Sequence, residues 1–187
     1  MPVWAVGYAQ VSVTQVPLIE HYDGQNWSVV PAPFPPQSDF NALYAVAAVS
    51  ANDVWAVGYQ NQNRQGQNGQ GLIMHWDGTS WSEVESPIAG YATILLGVTA
   101  NSSSDVTAVG YIQTADVQFL PVTEHWDGTS WRVLRTPNPG QVAQLCAAGA
   151  ANGVTWAVGA FSQRRMTQGY MEDPRNLTMR SRMRPER

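Results

Sequence analysis

Along Val54–Tyr59, VWAVGY, tryptophan, valine and tyrosine fall on one face and valine, alanine and glycine on the other. A period of two is the mark of a β-strand. The hexapeptide also stands at Val3–Tyr8, and it returns as VTAVGY at Val106–Tyr111 and TWAVGA at Thr155–Ala160. A second block, LIEHYDGQNW at Leu18–Trp27, recurs as LIMHWDGTSW at Leu72–Trp81 and VTEHWDGTSW at Val122–Trp131. The first block repeats at intervals of 51, 52 and 49 residues, the second at 54 and 50. Each unit of about fifty residues predicts four strands. In the second they are Leu43–Val49, Val54–Gln60, Gly71–Trp76 and Ser80–Glu85. DGQN and DGTS are hairpin turns, with glycine taking the backbone conformation other residues avoid. SAND, NSSSD and AANG join the first and second strands with turn-forming residues. The small face of VWAVGY should let a neighbouring sheet approach closely. No helical pattern occurs in the first 160 residues.

The residues HWDGTSW, with AVSANDVWAVGY, resemble the blades of bacterial β-propeller repeat proteins, of which kelch and Asp-box repeats are the nearest named types. Neither motif matches fully. Asp77, Gly78 and Trp81 are spaced more tightly than an Asp-box, and the kelch glycine pair is missing. Trp76–Asp77 and Trp126–Asp127 open turns, unlike the WD-repeat signature. The resemblance implies an all-β chain of about three and a half four-stranded blades, set radially. Residues 1–160 hold them: a partial blade at 1–30, blades at 42–85 and 93–135, and a partial blade from 143. Residues 161–187 form an arginine-rich, divergent tail. Closed propellers have four to eight blades, so the chain reads as an excerpt of a longer protein, such as a seven- or eight-bladed ring, as one of two copies that combine into such a ring, or as a small four-bladed ring closed alone. The unpaired outer faces, assigned Trp4, Val6 and Tyr8 at one end and Trp156 and Val158 at the other, predict self-association through the terminal blades.

The 187 residues are 44% hydrophobic and 13% charged, enough to bury a core. A net charge of −4, with no lysine, argues against an electrostatic nucleic-acid surface. Residues 164–187 hold seven of the ten arginines and carry +4, leaving −8 on the body. The longest apolar run, Ala42–Val49, is too short to span a membrane. No leader is expected, because the first repeat begins at Val3. The fold class points to the cell exterior or surface. One cysteine, Cys146, excludes an internal disulfide and a clustered-Cys metal site; it reads as a small core residue of an innermost strand.

His21, His75 and His125 share one repeat position, as do Asp23, Asp77 and Asp127, and again Trp27, Trp81 and Trp131. Equivalent positions lie in different blades and cannot converge on one metal, so the histidines read as hydrogen-bonding scaffold. The aspartates read as turn closers, and blade packing accounts for all eight tryptophans. No metal, cofactor or catalytic group is expected. Binding residues concentrate on variable loops held by a rigid frame. The long loops (9–17, 60–71 and 112–121; 31–41, 86–92 and 136–142) share one face. Phe34, Asp39, Phe40, Tyr91, Asp116 and Phe119 are the candidate ligand residues there. The function expected is a non-catalytic, lectin-like or protein-binding module. The alternative is a partial scaffold of a propeller enzyme, such as a glycosidase or polysaccharide lyase.

Overall fold

A computed structural model describes residues 3–34, 38–61, 69–87, 89–140 and 142–162, and the backbone alone of 177–183. Strands β1 (Val3–Val11), β2 (Thr14–Tyr22) and β3 (Trp27–Val29) make a first antiparallel unit. The second contains β4 (Phe40–Ser50), β5 (Asp53–Asn61), β6 (Gln70–Trp76) and β7 (Trp81–Val84). The third contains β8 (Ala92–Ser102), β9 (Asp105–Gln113), β10 (Phe119–Trp126) and β11 (Trp131–Leu134). In the fourth, β12 (Val142–Ala151) pairs with β13 (Val154–Ser162), and β13 with β14 (Leu177–Met183). Thus Leu177–Met183 lies beside β13 as β10 lies beside β9.

Single parallel bridges tie unit one to unit two (Gln15 with Phe40) and unit three to unit four (Phe119 with Val142), giving two mixed sheets. Between units two and three, the Thr93 N–H donates to the Gly69 carbonyl at 3.1 Å. The core is a succession of layers between units. Trp4, Val6 and Ile19 of unit one meet Leu43, Val54, Ala56, Leu72, Met74 and Trp81 of unit two. Trp55, Val57 and Ile73 of unit two meet Leu95, Val98, Val106, Ala108, Val122 and Trp131 of unit three. Val109 then meets Leu145 and Ala157 of unit four. The tryptophan–valine face of each second strand therefore points to the next unit, and the small face to the preceding one. This corrects one expectation: Trp4 and Val6 pack on unit two, and the bare face of unit one is the opposite one.

Each first strand carries a β-bulge at the same place, between Leu43 and Ala45, Leu95 and Gly97, and Leu145 and Ala147. The extra residue breaks the alternation. Cys146 is one such residue and is exposed, so its reading as a core residue is wrong. The bulge also explains the repeated glycine. A Cβ on Gly58 would stand 1.9 Å from the Ala42 carbonyl oxygen, on Gly110 1.9 Å from that of Ile94, and on Gly159 1.9 Å from that of Gln144. The close approach comes from the first strand of the same unit, not from a neighbouring sheet. Gly7 has nothing within 4 Å of the equivalent position. Gly110→Ala should therefore lose about 2 kcal/mol or more, as overpacking against unyielding backbone does, while Gly7→Ala is tolerated. Paired denaturant titrations check the contrast.

Candidate functional site

The end of each second strand and the start of each first strand lie at the same end of a unit, and the ring-bearing residues gather there. Tyr8 (β1), Tyr59 (β5) and Tyr111 (β9) are equivalent repeat positions, and Tyr44 is the bulged residue of β4. The Tyr44 hydroxyl is within electrostatic reach of those of Tyr111 and Tyr8, and Tyr59 of those of Tyr44 and Tyr111. Burial pushes Tyr44, Tyr59 and Tyr111 above the usual phenol range, and the neighbouring hydroxyls push Tyr44 and Tyr59 further. All are protonated donors at neutral pH. Tyr8 and Tyr44 still present 50% and 45% of their surface to solvent, so the cluster is open on one side. Such rings offer an apolar face and a polar tip at low conformational cost.

A hydrogen-bonded shelf of backbone and amides supports the cluster. Tyr59 is hydrogen-bonded to the Asn61 side chain. The Asn61 carbonyl accepts from Ser38 Oγ at 2.8 Å and from the Asp39 N–H at 3.2 Å. Asn41 Nδ2 donates to the Gln15 and Ser38 carbonyls, and the Gln15 N–H donates to the Asp39 carbonyl. Asn41 is fully buried, yet its Oδ1 has no hydrogen-bond partner among the described residues. Gly69 lies against the Tyr59 ring, where a Cβ would come within 2.2 Å of it.

The expected ligand residues divide. Asp39 and Phe40 belong to the shelf beside Asn61, with Phe40 exposed. Phe119 stacks edge-on with Tyr111 at 5.4 Å. Asp116 is taken up by its own turn, accepting from Thr114 Oγ1 at 2.5 Å and Gln118 Nε2 at 2.8 Å. Those bonds hold its carboxyl below the usual range. Phe34 is exposed, and the Tyr91 N–H donates to the Gln113 carbonyl; no described contact joins either to the tyrosines. Residues 9–17 are not a long loop: β1 runs to Val11 and β2 starts at Thr14. The polar stretch 62–68 lies outside the described residues.

The tyrosines escaped sequence reasoning because their strands read as scaffold. Only their recurrence at the loop end of VWAVGY could have flagged them, and the bulge hid Tyr44.

The opposite end of the units carries the turn aspartates and the histidines. Asp77 Oδ1 accepts from the Thr79 and Ser80 N–H groups and from Thr79 Oγ1, which holds its carboxyl down at about 2. Asp23 and Asp127 accept the equivalent backbone bonds. His75 Nε2 meets Asp53 Oδ1 at 2.9 Å, and His125 Nε2 meets Asp105 Oδ1 at 3.0 Å. Burial raises Asp53, but hydrogen bonds from Ser103 and His75 outweigh it. His21 packs on Trp4 with ring centroids 4.4 Å apart. No cluster of three metal-ligating side chains occurs among the described residues.

No protein-family model and no curated protein matches the chain. Among solved structures, a fucose lectin from Kordia zhangzhouensis in complex with methyl-fucoside is 14% identical, with a TM-score of 0.47. That match covers 73% of this chain and 92% of the lectin. YCF48 bound to D1 peptide is 16% identical with a TM-score of 0.40, covering 80% of this chain and 44% of YCF48. Both are β-propeller folds. At these scores neither likeness decides a ligand or a blade count.

Proposed function

We propose that the chain is an arc of β-propeller blades serving as a non-catalytic binding module for a protein or carbohydrate ligand. Its contact surface is the open cluster of Tyr8, Tyr44, Tyr59 and Tyr111, with Phe40 and Phe119 at the rim. The observation that carries this reading is that four tyrosines from three units gather on one solvent-facing side, with the hydroxyls of Tyr44, Tyr59 and Tyr111 held protonated by burial. Rings of this kind stack on sugar faces and on apolar or proline-rich peptide, while their hydroxyls and the Asn61 shelf fix orientation. The turn aspartates and the His–Asp pairs are scaffold in this reading.

The ligand classes of the two similar structures, a methyl-fucoside and a peptide, guide the choice of probes and nothing more. The test is a glycan array and a peptide panel on the purified chain, followed by titration of any hit. Tyr44→Ala should weaken that hit about tenfold or more, the loss typical of a central aromatic anchor. Asp116→Asn, at a carboxyl bonded within its own turn, should leave it unchanged. An empty array and panel, or a hit indifferent to Tyr44→Ala and Tyr111→Ala, would overturn the reading.

A further inference from the structure

Units two and three are each packed on both sides by a neighbouring unit, so what they leave open at the tyrosine end is not an end face of the chain. There Tyr44 is 45% exposed, Phe40 39% and Val117 64%. Val117 stands in the hairpin that carries Phe119 to the Tyr111 ring. Its φ of 61° lies in the left-handed region, which a β-branched residue rarely adopts. The turn holds it there: the Val117 N–H donates to the Thr114 carbonyl and the Gln118 N–H to Thr114 Oγ1, both at 3.0 Å. An apolar side chain is thus kept exposed at the end of the units where the rings gather.

The polar side chains around the rings are spent within the protein. Ser38 Oγ donates to the Asn61 carbonyl, Asn41 Nδ2 donates to the Gln15 and Ser38 carbonyls, and Asp116 accepts from Thr114 and Gln118. A sugar presents mainly hydroxyls and needs convergent polar partners, because burying those hydroxyls unpaired is costly. What this surface offers instead is ring face, aliphatic side chain and phenol oxygen. Ring faces carry the negative side of the aromatic quadrupole. Those of Tyr44, Tyr59 and Tyr111 come from two neighbouring units to within electrostatic reach of one another. A positively charged side chain is their complement. Charge points the same way, since residues 1–163 hold eleven acids against three arginines and no lysine. Of those arginines, Arg132 is taken by Asp127 at the far end, Arg135 follows β11, two strands out from the strand of Tyr111, and Arg64 lies outside the described residues.

We propose that the occupant of this surface is a peptide segment of a partner protein whose arginine or lysine side chain enters the tyrosine cluster, with apolar residues beside it against Phe40 and Val117. The inference rests on the binding role argued above and narrows its ligand from protein or carbohydrate to a cationic, apolar peptide. The ring faces hold the cation and the phenol oxygens accept its N–H groups. The negative body draws the partner in. Arginine fits better than lysine, because its flat guanidinium also stacks on aromatic rings.

The test sets the full chain against an array of short peptides of random sequence, with a glycan array beside it. Peptide hits should carry arginine or lysine among apolar residues. Exchanging that cation for methionine, which keeps an apolar stem, should weaken a hit about tenfold or more. Tyr44→Leu should cost as much, while Tyr44→Phe, which keeps the ring, should stay within about threefold. Val117→Ser should weaken the same hit severalfold, and so should raising the salt from roughly 0.05 to 0.5 M. Tyr44 and Val117 are both exposed, so these exchanges leave the core intact. Hits that accept methionine or glutamate in place of the cation, or that ignore Tyr44→Leu, overturn the cationic peptide. Glycan hits that Tyr44→Leu abolishes, with no peptide hit, overturn it as well but leave the binding module standing. Two empty arrays overturn both.

Discussion

Replacing Trp131 with alanine should cost about 3–5 kcal/mol of stability, the range for a large buried ring cut back to a methyl group. Trp131 is 7% exposed and lies against Trp55 and Trp126, so its loss empties the seam between units two and three. Relaxation cannot fill that space cheaply, because both walls are paired β-sheet. Trp81→Ala should behave alike, since Trp81 is 4% exposed against Trp4 and Trp76. Trp27 occupies the same repeat position but is 52% exposed, and it is the internal control. Trp27→Ala should shift stability by about 0.5 kcal/mol or less, as exposed positions do. Urea titrations of the three variants decide the matter. Equal losses at Trp27 and Trp131 would mean that burial at this position does not come from stacking of one unit on the next. A domain is usually stable by only about 5–15 kcal/mol, so the Trp131 effect is large enough to be unmistakable.

That contrast also shows what the sequence could and could not disclose. The four-strand unit was legible because VWAVGY and HWDGTSW alternate with period two between glycine turns. The roles of Asp77 and Asp127 were legible because an aspartate two and three residues before free N–H groups closes such a turn. Which tryptophans are buried was not, since Trp27 and Trp81 share one motif and differ only in whether another unit stands beside them. The bulge was invisible too. It adds one residue without leaving a turn signal, and it exposes Cys146 and Tyr44 in strands that read as core. Asp53 and Asp105 went unnoticed as histidine partners for a different reason. They open the second strand of each unit, 22 and 20 residues from His75 and His125, and only strand pairing brings them together. Of the candidate ligand residues, Asp39, Phe40 and Phe119 lie at the same end of the units as the tyrosines, which belong to strands.

The chain should be more stable at pH 5 than at pH 8, and Glu124 should be the cause. Glu124 lies on β10 within the layer between units two and three, fully buried where unit two has Met74. Among the described residues its carboxyl receives one side-chain donor, Ser86 Oγ, at 3.1 and 3.3 Å from its two oxygens. One hydroxyl does not replace the hydration of a charged carboxylate, so burial pushes the group up to about 7 from an ordinary 4.5. In the folded state the acid form is favoured, and the unfolded chain ionises first. The stabilising contribution is therefore complete below about pH 4.5 and is lost as pH rises through 7. A displacement of this size corresponds to about 3 kcal/mol between the two limits. The turn aspartates act in the opposite sense and in another window. Asp77, held at about 2, withdraws its contribution only as pH falls below its ordinary 3.8. Glu124→Met, which copies Met74, should flatten the profile between pH 5 and 8 and raise stability at the alkaline end. Glu124→Gln should flatten it while keeping a polar partner for Ser86. Chemical denaturation of all three proteins at both pH values is the measurement. A wild type equally stable at each, or a slope that survives in Glu124→Met, would remove Glu124 as the source.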